Sequence, residues 1–170
     1  DFCLSIDGPL KDPAALQGLQ LDVQARPSRL QERYRKCRVL PQASVFHSIY
    51  YRKPSRSDIP TVVTAYDFVY ERYYSGLQRR VHSIQKYAAI RSAQVVLCIS
   101  ESTRDDLLEF VGPTPGQTIE VTHLAVSETF TRLAVEPAAV PYVLFVGERH
   151  TYKNFSTLLE ALVFLPDLEI

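Results

Sequence analysis

Three short apolar runs, at residues 61–66, 94–99 and 118–123, alternate with stretches of helical spacing, and this alternation narrows the fold more than any other feature. The run at 61–66 is β-branched and apolar, bounded by Pro60 and Asp67, and reads as a buried strand. Leu77, Val81, Ile84 and Ala88 then recur on one helical face, which predicts a long helix over about 72–91. Ser100 to Thr103 offers N-cap candidates for a helix reaching about Phe110, with Asp105 and Asp106 expected in its first turn. Residues 112–116 carry two glycines and two prolines and form a loop.

Upstream, residues 2–6, 21–25 and 45–48 are strand candidates, while 13–19 and 28–40 are helix candidates. Strands alternating with helices imply an α/β chain with a doubly wound, mostly parallel, Rossmann-like sheet. Residues 131–141 contain Pro137, Pro141 and three alanines and read as a linker. A fresh strand at 142–147 follows, then a loop, then a helix with Phe155, Leu158, Leu159 and Leu162 on one face. The expected domains are therefore 1–135 and the opening of a second Rossmann-like domain over 136–170.

Nineteen basic and nineteen acidic residues cancel, which argues against a general nucleic-acid binder. Hydrophobic residues make up 46% of the 170, enough for a sizeable core. Cys3, Cys37 and Cys98 are widely spaced and form no Cys-x-x-Cys pair. That pattern fits a reducing compartment better than a disulfide or zinc framework, and the expected location is cytoplasmic. No run approaches the ~20 apolar residues of a spanning helix. Cations at 26–38 and 79–91 fit either a solvated helix face or peripheral contact with an anionic lipid surface at the inner face of a membrane. The chain has no methionine and opens on Asp1, so it reads as part of a longer parent.

The candidate chemistry clusters at predicted strand ends. Gly147, Arg149 and Lys153 follow the strand at 142–147, where open α/β sheets bind ligands. A helix N-terminus there favours an anion, and the two cations add a forked donor and a point charge, so a phosphate or diphosphate is the natural guest. The alternative is a pair of solvated surface cations. His47, Tyr50 and Tyr51 follow the strand at 45–48; they fit a hydroxylated substrate with an aromatic platform, or a core histidine satisfied by backbone. Tyr66 and Asp67 end the strand at 61–66, where Asp67 can accept from a sugar hydroxyl or cap the next segment. Ser100 and Ser102 fit a phosphate site or plain N-caps. The six glycines form no Gly-x-Gly, which excludes a dinucleotide fingerprint and a Walker loop.

In order and spacing, the segments Val45-Phe-His-Ser-Ile-Tyr-Tyr51, Val62-Val-Thr-Ala-Tyr-Asp-Phe68, Ile99-Ser-Glu-Ser-Thr-Arg-Asp-Asp-Leu107, Val121-Thr-His-Leu-Ala-Val-Ser-Glu-Thr-Phe130 and Val146-Gly-Glu-Arg-His-Thr-Tyr-Lys-Asn-Phe155 resemble a family 4 glycosyltransferase of the GT-B type, from about Val45 to Leu165. The resemblance implies two Rossmann-like domains facing across a cleft, the first holding the acceptor and the second a nucleotide sugar. It implies retaining transfer of a hexose to a glycan or lipid-linked acceptor, with no cofactor and no metal. Tyr66 and Asp67 would then be catalytic, His47, Tyr50 and Tyr51 acceptor-binding, and Gly147, Arg149 and Lys153 diphosphate-binding. Tyr66 stands where many members carry a histidine. The family's Gly-rich loop and first strand are missing, and its acidic motif would lie beyond Ile170. The chain therefore reads as a fragment, inactive alone. Two alternatives stand beside it: a non-catalytic transferase-like binding module, and an unrelated α/β phosphate-binding protein.

Overall fold

The computed structural model describes residues 35–132, 134, 142–149 and 151–165. The strands expected at 2–6 and 21–25 and the helix at 13–19 lie outside the described residues, as does most of the expected linker. The chain divides into two compact units, one ending at Leu124 and one beginning at Ala125.

The first unit contains β1 (Phe46–Ser48), β2 (Thr61–Ala65), α1 (Val69–Tyr73), α2 (Gly76–Ser92), β3 (Val95–Cys98), α3 (Glu101–Phe110) and β4 (Thr118–Val121). The four strands form one all-parallel sheet in the order β1-β2-β3-β4. This is a Rossmann-like α/β sheet flanked by helices. A doubly wound sheet reverses its strand order at a switch point, and the four described strands contain no such reversal.

β2 is paired on both sides and buried at four of its five positions, as expected of an interior parallel strand. Its register sets Val63 beside Val96 and Ala65 beside Cys98. Those four side chains form one layer of the core, closed by Phe68, Ile90, Ala93, Leu107 and Val111. β4 alternates exposed and half-buried residues.

The helical segment expected over 72–91 is two helices, α1 and α2, broken at Tyr74 and Ser75. The buried face of α2 is also not the expected one. Ser83, Lys86, Ala89 and Ile90 point inward, while Leu77 is 78% exposed and Ile84 63%. Two polar residues were thus packed inside and two apolar ones left out. The reason lies beyond the helix: Glu71 of α1 needs a buried cation and hydroxyl beside it, and Lys86 and Ser83 supply them. At the other end of α2, the Gln117 side-chain amide donates to the Ile90 and Ala93 carbonyls, both at 2.7 Å. The Ile90 carbonyl also accepts from the Ala93 N–H at 3.1 Å, so the amide joins the last turn of the helix to its C-cap.

α3 starts as its sequence predicts. Ser100 is the N-cap, its Oγ accepting from the Thr103 N–H at 3.1 Å. Asp105 and Asp106 both lie beyond the first turn, which holds Glu101 instead, and Asp106 pairs, with Glu109, to Arg72 of α1. The helix expected over 28–40 is not present in its described part, since residues 35–40 are irregular and Cys37 bridges Pro54.

In the second unit, a 3-10 turn at Thr151–Lys153 leads into α4, Phe155–Leu162. The strand expected at 142–147 does not form. Only Tyr142 sits in a bridge, and residues 143–146 carry no ladder. An apolar run becomes a strand only where a neighbour satisfies its backbone, and no strand is present among the described residues of this unit. Among the described residues, no helix is long and apolar enough to cross a membrane.

Ile90→Ala is expected to cost about 2–5 kcal/mol, whereas Leu77→Ala should stay within about 0.5 kcal/mol; chemical denaturation of both variants tests the inverted helix face. Burial also pushes the Cys98 thiol up to about 11. A thiol raised on folding contributes stability below its unfolded value of ~8.5 that is lost as pH rises toward the folded value. Stability should therefore decline between about pH 8.5 and about pH 11, and Cys98→Ala should flatten that decline in urea titrations run at successive pH values.

Candidate functional site

Because β1 and β2 run parallel, the loops that leave them emerge at the same edge of the sheet. A cleft of about 450 Å³ lies there. Ile49, Tyr50 and Tyr51 come from the loop after β1, Tyr66 and Asp67 from the loop after β2, Tyr70 from α1, and His82, Gln85 and Lys86 from α2. Four tyrosines and one imidazole make its walls largely aromatic. The Tyr70 and His82 rings stack at 3.6 Å, and Tyr50 and Tyr51 meet at 5.9 Å.

The backbone under the cleft is held at several points. Tyr51 adopts a left-handed φ of 55°, a conformation that costs an L-residue roughly 1–2 kcal/mol. Its ring is half-buried and its hydroxyl accepts from the Tyr66 N–H at 3.3 Å. Burial, with the negative charges of Asp67 and Glu71, pushes the phenol well above its usual range against that hydrogen bond. The hydroxyl therefore stays protonated and can donate toward the cleft; it is no base. The Tyr66 carbonyl accepts from the Thr103 hydroxyl at 3.2 Å. One carboxylate oxygen of Asp67 accepts from the Val69 N–H at 3.1 Å. Asp67 thus caps the entry to α1 while its side chain remains exposed.

Behind this wall lies a buried ion pair. Lys86 Nζ donates to Glu71 Oε2 at 2.9 Å and to the Asp67 carbonyl at 2.8 Å. Ser83 Oγ donates to the other Glu71 oxygen at 2.8 Å. The side chains of Lys86 and Glu71 are 5% and 0% exposed. The ammonium also faces the Phe68 ring at 4.6 Å. Removing one partner of such a pair strands a buried charge, at a cost of about 3–5 kcal/mol.

The structure brings together four of the eight residues singled out in the sequence: Tyr50, Tyr51, Tyr66 and Asp67. His47 does not line the cleft. It is exposed on β1, and its Nε2 bonds to Thr64 Oγ1 on β2 at 2.8 Å, a cross-strand link that neither sequence reading anticipated. Gly147, Arg149 and Lys153 belong to the second unit. Gly147 has φ +132°, which disfavours any side chain there. Arg149 lies 4.6 Å over the Phe155 ring and Lys153 lies 5.2 Å over the Tyr152 ring. Both cations are exposed.

Glu71, Ser83 and Lys86 escaped the sequence reading. Their 3-residue spacing from Ser83 to Lys86, continued to Ile90, was a signal, but only if polar residues were allowed on a buried stripe. Among the described residues, no group of three or more His, Cys, Asp or Glu is placed to hold a metal ion. No family model, curated protein or solved structure matches the chain.

Tyr51→Phe is expected to cost about 1–3 kcal/mol, because it leaves the Tyr66 N–H without its acceptor. Tyr50→Phe should be near neutral, within about 0.5 kcal/mol; paired thermal melts compare the two.

Proposed function

We propose that the chain is part of a retaining, nucleotide-sugar-dependent glycosyltransferase of the GT-B type, with the cleft at the carboxyl end of the sheet as its acceptor side. The observation that carries this reading is the pairing of aromatic walls with the Asp67 carboxylate at that edge. A pyranose presents an apolar C–H face and a rim of hydroxyls. Tyrosine rings suit the first, and a carboxylate accepts from the second. Tyr66 and Asp67 would be the residues nearest the reaction, and Tyr50 and Tyr51 the acceptor platform.

In this reading the second unit holds the nucleotide sugar. Arg149 and Lys153 would stabilise the departing nucleoside diphosphate, so that no metal is needed for that charge. Gly147 would let the backbone approach the phosphates. The hexose would pass to a glycan or lipid-linked acceptor. The free, buried thiol of Cys98 supports a cytoplasmic location.

A second reading is a glycan-binding module that does not transfer. It is favoured by the cation–ring contacts, since Arg149 and Lys153 already have aromatic partners.

Titration calorimetry with UDP and GDP separates the two. Under the transferase reading the full-length parent binds one of them, and Arg149→Ala or Lys153→Ala in that parent weakens the binding about 10- to 100-fold, the worth of a charge-assisted hydrogen bond. Binding of simple pyranosides with no binding of either nucleotide favours the module. Unchanged nucleotide affinity in both variants would sink the diphosphate assignment.

A further inference from the structure

Lysine is almost never fully buried, and Lys86 is buried next to a ligand-sized cleft. Its ion pair with Glu71 does not account for that placement, because apolar residues of similar volume commonly replace such pairs without loss of stability. What an apolar pair could not replace is the third member of the arrangement. The Asp67 carbonyl lies between β2 and α1, and neither element includes it. Its hydrogen-bond donor is the Lys86 ammonium, at 2.8 Å.

The backbone from Tyr66 to Asp67 is therefore held at three successive peptide units. Tyr51 Oη takes the Tyr66 N–H, the Thr103 hydroxyl takes the Tyr66 carbonyl, and Lys86 takes the Asp67 carbonyl. Glu71 in turn fixes the ammonium, and Ser83 fixes Glu71. Two anchors act on Asp67 itself: Lys86 holds its carbonyl, and the Val69 N–H donates to its carboxylate at 3.1 Å.

We propose that Lys86 is the positioning residue of the cleft: through the Asp67 carbonyl it holds the Asp67 carboxylate where a saccharide hydroxyl would be bound. This rests on the reading of the cleft as an acceptor site. Lys86 acts through Asp67, and Glu71 with Ser83 keeps its charge neutralised so that the cleft presents one net carboxylate.

The decisive variant is Glu71→Leu/Ser83→Ala/Lys86→Met, which removes the pair without stranding a charge. Lys86→Met alone strands Glu71 and should melt far lower; the triple variant should regain most of that loss. Amide exchange of Tyr66 and Val69 in the triple variant should run about tenfold faster than in the parent, the factor for one lost hydrogen bond. Val96 and Cys98 in β3 should exchange at the parental rate. Affinity for a panel of methyl pyranosides, read by NMR titration, should fall about tenfold in parallel. Parental protection at Tyr66 and Val69, or equal acceleration in the loop and in β3, overturns the proposal. If the parent protein binds no pyranoside, the acceptor reading fails, and the exchange data still decide whether Lys86 anchors Asp67.

Discussion

The pairing of β2 with strands on both sides is the constraint on which the first unit rests. Parallel strands cannot be joined by tight turns, so each crossover must carry a helix or a long loop. α1 and α2 lie in the β2–β3 crossover and α3 in the β3–β4 crossover. Their burial on the sheet makes Val63, Val96, Ile90 and Leu107 a single core. The same pairing brings the carboxyl ends of β1 and β2 to one edge. The cleft is therefore a by-product of strand direction, and its walls are whatever residues the first turn after each strand supplies.

Those strands were legible because their signal is local. Thr61–Ala65 and Val95–Cys98 are β-branched runs bounded by turn residues, and Ser100 is followed by a helix whose third N–H it takes. The buried face of α2 was not legible because it is set by a partner outside the helix. A carboxylate on α1 selects Lys86 and Ser83 over Leu77 and Ile84, although transfer free energies alone would choose the apolar pair. The run at 142–146 shows the converse. It is apolar and β-branched, but a strand is a property of two chains of backbone, and among the described residues its unit offers no second one.

The candidate site divides in the same way. Tyr66 and Asp67 were visible because a strand's carboxyl end is a fixed place in this architecture. His47 was visible for the same reason, yet pairs across to Thr64. Tyr70 and His82 were not visible. They meet only because α1 and α2 fold against each other, with the Glu71–Lys86 pair joining them.

The energetics of Tyr51 show why this wall holds its shape. Its left-handed backbone costs roughly 1–2 kcal/mol, more than its 3.3 Å hydrogen bond to the Tyr66 N–H alone would return, since an ordinary bond nets about 0.5–1.5 kcal/mol. Full burial of an aromatic ring is worth about 1.5–3 kcal/mol and half-burial roughly half of that; Tyr51, half-buried, packs on the core while Tyr50, one residue earlier, is 67% exposed. The apolar body of the ring and its hydrogen bond together offset the strain, and the hydroxyl contributes direction. A phenylalanine would keep most of the packing and lose the alignment of Tyr66. On these magnitudes hydrophobic burial and hydrogen bonding contribute comparably to holding the wall, and the hydrogen bonds decide where the Tyr66 and Asp67 backbone sits within it.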